Sequence, residues 1–306
     1  MPQKLKSNVR LIARLDVKGP NLIKGIQFDG NRVLGTPEYF SDLYYKEGID
    51  ELIFQDTVAS LYHRNSLLDI IKKTAEKCFI PMTVAGGLRT IDDIRQCLNA
   101  GADKVAINTA AIERPDFLKE AVETFGSQCI VASLEVYCYR HGRSEVWTDY
   151  GRQETGVEAF EWAERVVSLG VGEIMLTSIN SEGTGKGFDI DLISSIARRV
   201  AVPVIAVGGA GNKNDLVKAV TEGHADAVAA ASIFHYKYMK TVEGHTMSFK
   251  ENRLRMGDHI DSGNIEFLKS GYAGFSTIPV TPTSISEAKA FMIENGISVR
   301  TEQLIS

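Results

Sequence analysis

Two carboxylates stand where the sequence could do chemistry. Asp16 closes the apolar run LIARLD, and Glu135 closes VASLE. If these runs are the first and fifth strands of eight, the two acids face each other across one mouth. Paired acids on opposite sides of a bound molecule suit general acid and base work. A single carboxylate there serves equally well to cap a helix or hold a rim cation, but the pair favours catalysis. Two glycine pairs follow other apolar runs: Gly86-Gly87 before Leu88-Arg89-Thr90, and Gly208-Gly209 before Ala210-Gly211-Asn212. Glycine lets backbone approach an anion, and the N–H groups of a helix start favour negative charge. Asn108, Thr109 and Ser232 add side-chain donors beside them, and the loop SINSEGTGKG (178–187) adds Gly183 and Thr184. One such glycine pair serves turn geometry as readily. Two equivalent clusters imply a ligand with a phosphate at each end.

Four further charges sit at the opposite ends of the runs: Arg10, Glu51, Lys104 and Glu173. Counting by twos, Arg10 shares its facing with Asp16, Lys104 with Asn108, and Glu173 with Thr177. Buried charges are costly unless paired, so two positive and two negative groups at one level should form a ring. Such a ring is either a structural salt-bridge plug or a polar constriction on a path through the floor. The six histidines show no HxH or HExxH spacing, which argues against a metal site. No Ser-His-Asp or Cys-His arrangement and no cofactor motif is present.

Positioning these groups requires a parallel sheet. Expected strands are Val9–Leu15, Glu51–Gln55, Met82–Ala85, Lys104–Ile107, Cys129–Leu134, Glu173–Thr177, Val204–Val207 and Ala225–Ala229. Between them lie helical patterns at Tyr39–Glu47, Ile91–Asn99, Ala159–Leu169, Ile190–Arg199 and Leu216–Glu222, with a last one at Ile285–Asn295. Thr36-Pro37 starts the first helix, and Thr90 with Asp93 makes a capping box for the second. Eight alternating units predict a single (β/α)8 barrel over residues 1–306. The chain also repeats at half length. IPMTVAGGLRTIDDI (80–94) aligns with VPVIAVGGAGNKNDL (202–216), GIDELIF (48–54) with GVGEIML (170–176), GADKVAINTAAI (101–112) with HADAVAAASIF (224–234), and RLDV (14–17) with SLEV (133–136). Four blocks in one order predict two tandem half-barrels. An insertion at 237–281 follows the last strand, too long for an ordinary βα loop.

Composition narrows the function classes. The chain has 306 residues, with 44% hydrophobic and 24% charged residues, enough apolar material for a large core. A net charge of −5 removes the basic excess expected of a nucleic-acid binder. No apolar run reaches membrane-span length, and the N-terminal residues lack a signal-peptide pattern. Four cysteines without a CxxC pair fit reduced thiols in the cytoplasm.

The motifs LDVKGPNLIKG, GIDELIFQD, TVAGGLRT, GADKVAINTAAI, FGSQCIV, GEIMLTSINSEGTGKGFD, VIAVGGAG and ADAVAAASIFHY occur in the order of the cyclase subunits of imidazole glycerol phosphate synthase, in the histidine-biosynthesis barrel family. The chain resembles that family over about residues 8–236 and the last helix. The resemblance implies a barrel paired with a glutaminase whose ammonia crosses the floor and reaches a bisphosphorylated ribulosyl aminoimidazole substrate. There the substrate would be cleaved and its imidazole ring closed, releasing an aminoimidazole carboxamide ribotide. It assigns catalysis to Asp16 and Glu135, and phosphate binding to Gly86, Gly87, Asn108, Thr109, Gly183, Thr184, Gly208, Gly209 and Ser232. Lys24 falls in a mobile rim loop that contacts substrate. Arg10, Glu51, Lys104 and Glu173 become the ammonia gate, and Asp103 a partner contact. Three positions depart from the pattern. Glu135 and Glu182 replace aspartates, and Arg14 replaces a small residue, where it would favour ionised carboxylates and narrow the bore. Two other readings remain open: an ammonia-transferring barrel in acetamidino modification of a surface-polysaccharide sugar, and a non-catalytic scaffold for a glutaminase.

Overall fold

Every position from Leu11 to Val17 is buried, although strand geometry sends alternate side chains to opposite faces. Such a run needs cover on both sides, as strands have in a closed barrel ringed by helices. The computed structural model describes residues 8–58, 67–242 and 279–301. Its strands in chain order are β1 (Arg10–Lys18), β2 (Asn21–Ile26), β3 (Asp29–Gly35), β4 (Glu51–Asp56), β5 (Met82–Ala85), β6 (Lys104–Ile107), β7 (Ile130–Cys138), β8 (Ser144–Thr148), β9 (Gln153–Glu158), β10 (Glu173–Ser178), β11 (Val204–Val207) and β12 (Ala227–Ala230). Parallel pairing runs β1-β4-β5-β6-β7-β10-β11-β12, and β12 pairs back onto β1 with Arg10 opposite Ala227. This is a (β/α)8 barrel.

The eight expected strands are all present as its staves. The other four were not foreseen from the sequence. They form two antiparallel hairpins: β2–β3 extends β1, and β8–β9 extends β7. Asp16 and Glu135 therefore do not end their strands. β1 continues to Lys18 and β7 to Cys138, because each pairs onward with its hairpin, Asp16 opposite Ile23 and Glu135 opposite Trp147. The hairpins occupy equivalent places in the two halves. Their turn residues Gln27-Phe28 and Asp149-Tyr150 lie 122 positions apart, and all four have positive φ.

The helices pack outside. Thr90 and Asp93 form the expected capping box on Ile91–Ala100, and Asn212 with Asp215 forms its counterpart on Lys213–Thr221. The latter helix starts three residues before the expected Leu216. Helices Leu68–Ala75, Thr109–Glu113, Asp116–Phe125 and Ser232–Val242 add to those expected. Of the 237–281 insertion, residues 243–278 lie outside the described residues; Ser232–Val242 runs into it as helix. The barrel bore holds Ile12, Ile53, Ala85, Ala106, Val131, Met175, Ile205, Val207, Ala227 and Ala229 as a separate apolar cluster.

Candidate active site

Two glycine pairs shape the rim. Gly86 and Gly87 have φ of 101° and 74°, and Gly208 and Gly209 have φ of 91° and 111°, so both pairs adopt backbone that other residues rarely tolerate. At Gly86 a side chain would also collide: its Cβ would lie 2.5 Å from the Asp56 carbonyl oxygen. Gly86→Ala is therefore expected to cost about 1–3 kcal/mol from backbone strain alone. Urea denaturation checks this; an unchanged midpoint would contradict the close approach.

The first pair opens into a cavity of about 290 Å³, lined also by Asn108, Thr109, Asp149, Tyr150 and Glu135. Glu135 is buried on β7. Its Oε2 accepts from the Gly151 amide at 2.8 Å and from Asn108 Nδ2 at 3.3 Å. Burial pushes its carboxyl up to about 7, against the opposing pull of Arg14 and these two hydrogen bonds. Asp16, buried on β1, contributes a negative charge that raises Glu135 further. Over the mouth the hairpin tips meet, with the Phe28 and Tyr150 rings 4.3 Å apart.

The second pair is nearly filled. Arg14, Lys24 and Glu182 crowd Gly183, Gly208, Gly209 and Ser232, leaving a cavity of about 20 Å³. Arg14 Nε donates to Asp16 Oδ1 at 2.9 Å, and its Nη1 stands 3.9 Å from Glu182. Lys24 bonds Glu182 and lies 3.7 Å from Asp16 Oδ2. Burial alone would raise Glu182, but Lys24 and Arg14 hold it below the ordinary carboxylate range. His235, behind them, is pushed down to about 3 by burial and by Lys24.

At the other end of the bore the four charges close into a ring. Arg10 pairs with Glu51 at 2.9 Å and with Glu173; Lys104 pairs with Glu51 at 3.2 Å and with Glu173 at 3.1 Å.

The sequence matches known proteins. A family model described as "Histidine biosynthesis protein" matches residues 10–240. A curated relative from Legionella pneumophila, named imidazole glycerol phosphate synthase subunit HisF, is 55% identical over 205 residues, covering 67% of this chain and 97% of the relative. The chain belongs to the histidine biosynthesis protein family.

Within this member of the histidine biosynthesis protein family, several candidate residues stand differently from expectation. Lys24 is on strand β2 rather than in a loop, and is buried, because β2 pairs with the extended β1. Thr184 lines neither cavity: its hydroxyl donates to the Ser181 carbonyl at 2.7 Å and accepts from the Lys186 amide at 3.3 Å, closing its own loop. Thr109 Oγ1 accepts from the Asp149 amide at 3.2 Å. Exposed Asp103 accepts from the Met82 amide at 2.8 Å. Asp50 and Asp226 treat the Leu11 and Val204 amides alike, at 2.7 and 2.9 Å, which gives all three a shared role in holding strand starts. Arg14 favours the ionised form of both Glu182 and Glu135, as expected, but at Glu135 burial outweighs it. Tyr150, Gly151 and Trp147 were missed as site residues. Their counterparts 122 positions earlier, Phe28, Asp29 and Gly25, share no residue identity with them, so the half-repeat carried no signal there. Among the described residues no group of three or more His, Cys, Asp or Glu is placed to hold a metal, and no helix is long and apolar enough to cross a membrane.

Proposed function

We propose that this chain is the cyclase subunit of an imidazole glycerol phosphate synthase. It works in the cytoplasm as one barrel domain, with residues 237–281 inserted at the rim. A glutaminase docks on the N-terminal face, beside the ring and Asp103. Its ammonia enters between Arg10, Glu51, Lys104 and Glu173. Above the ring, small side chains at Ala85 and Ala106 lead to the Glu135 cavity, which they also line. On the β1 side Arg14 fills the bore, so passage is steered to the β5–β6 side.

The bisphosphorylated ribulosyl aminoimidazole substrate spans the rim. One phosphate sits at Gly86, Gly87, Asn108 and Thr109, the other at Gly183, Gly208, Gly209 and Ser232. Ammonia condenses with the ribulosyl carbonyl and water leaves; the new nitrogen then bonds the linking carbon, closing the imidazole ring as that carbon's bond to the nitrogen of the carboxamide portion breaks. A carboxyl near 7 can both give and take a proton at neutral pH. Glu135 delivers the proton to the departing nitrogen. Asp16, held by Arg14 and Lys24, is the acceptor on the opposite strand. The observation that carries this reading is a buried acid with a raised pKa beside a glycine-lined cavity, electrostatically coupled to a second acid across the barrel. The test is turnover of that substrate with an ammonium salt and no partner. Imidazole glycerol phosphate and aminoimidazole carboxamide ribotide should appear in equal amounts. Folded protein that forms neither at high ammonium overturns the reading.

A further inference from the structure

The second glycine cluster is already occupied by a carboxylate of the chain itself. A Cβ built on Gly208 would lie 3.0 Å from Glu182 Oε2, so this carboxylate rests against the backbone where an anion would approach. Lys24 bonds its other oxygen. The remaining space, about 20 Å³, admits a water and not a phosphate. Arg14 lies in the same seat, 2% exposed, and its Nη2 is buried without a hydrogen-bond partner among the described residues. A guanidinium offers five donors in a rigid fork, and a buried donor left unused is costly. Here one arm of the fork is spent on Asp16, one faces Glu182 at 3.9 Å, and one is idle.

We propose that Arg14 is a ligand-binding residue of this seat, and that Glu182 is an internal stand-in displaced when the ligand's phosphate arrives at Gly208, Gly209 and Ser232. The proposal rests on the bisphosphorylated substrate proposed above. Arg14 and Lys24 bring two positive charges to the seat. Asp16 and Glu182 answer with two negative charges, so displacing Glu182 leaves one positive charge for a phosphate, which also brings three acceptor oxygens. The exchange gives Nη2 its missing acceptor and lets the planar fork grip two phosphate oxygens at once. It also frees Lys24, 3.7 Å from Asp16 Oδ2, to close on an oxygen that has no hydrogen-bond partner among the described residues. The Gly86 cavity, although Asp56, Glu113, Glu135 and Asp149 line it, is already open at about 290 Å³.

The test titrates inorganic phosphate into the full chain and follows the Gly208 and Gly209 amides by NMR, with Gly86 and Gly87 as the internal control. Glu182→Gln removes the competing charge and should tighten phosphate at Gly208 about tenfold, leaving the Gly86 seat unchanged. Arg14→Lys keeps the charge but loses the fork, and should weaken phosphate at Gly208 about tenfold. In turnover, Arg14→Lys should raise KM by more than it lowers kcat, whereas a purely structural arginine would leave KM in place. Unchanged or weaker phosphate binding at Gly208 in Glu182→Gln overturns the proposal, and that variant decides the matter if Arg14→Lys does not fold. Absent turnover in the parent chain with the phosphate effects intact would instead sink the cyclase reading.

Discussion

Glu135→Gln should cut ammonia-driven turnover about a hundredfold or more while making the protein more stable in mild alkali. The two effects have one cause. Burial lifts the Glu135 carboxyl from 4.5 to about 7, which is what lets it trade protons near neutrality. A general acid–base group contributes about 10²–10⁴-fold, so turnover should fall by that factor. Asp16→Asn should fall as far. The stability effect follows from linkage. The folded state holds the Glu135 proton more tightly than the unfolded chain does. Its contribution is therefore fully present below pH 4.5 and lost as pH rises through about 7. Above that pH the buried charge costs about 3 kcal/mol, at about 1.4 kcal/mol per pKa unit. Glutamine carries no charge at any of these pH values. The variant should thus gain on the parent steadily between pH 4.5 and 8, and denaturant melts at pH 5, 7 and 8.5 would show it. A constant offset across that range would mean that Glu135 titrates normally and is not the proton donor.

The barrel was legible because its signals are local. Strand runs such as Val204–Val207 and Ala227–Ala230 are apolar throughout, since parallel staves are buried on both faces. Period-two counting gave Arg10, Lys104 and Glu173 the facing of the rim residues, the strand starts put them with Glu51 at one level, and the four side chains do meet there. The hairpins were hidden for a physical reason. Their tight turns fall on Gln27-Phe28 and Asp149-Tyr150, and three of these four residues carry none of the usual positive-φ chemistry. The turns are held instead by tertiary contact: the Phe28 ring packs tilted against Tyr150, and the Gln27 amide donates to the Glu182 carbonyl at 2.8 Å. The contents of the second seat were illegible as well. Arg14 and Glu182 stood out as departures in the sequence, but 168 positions separate them, and only the closed barrel brings them together.

Lys104→Ala should uncouple the two ways of driving the reaction. The ring links four staves at the N-terminal end of the bore, and Lys104 bridges Glu51 and Glu173 on the side away from Arg10. Its side chain is 18% exposed and that of Arg10 is 25%, so the ring is reached by solvent from outside and is not sealed in the core. Desolvating four charges for stability alone is poor economy, since buried ion pairs often do no better than apolar packing. If the ring instead regulates passage, removing Lys104 leaves Glu51 and Glu173 to share Arg10 and opens a gap above the partner face. Ammonia released by a docked glutaminase would then leak to solvent. Glutamine-driven turnover should fall about tenfold, equivalent to about 1.4 kcal/mol in the barrier, while turnover with a saturating ammonium salt should hold, because that ammonia enters from the open rim. Both rates are read on one preparation with equimolar glutaminase. An equal fall in both would make the ring a structural plug, whose loss disturbs the barrel as a whole. Retention of both would place the passage elsewhere.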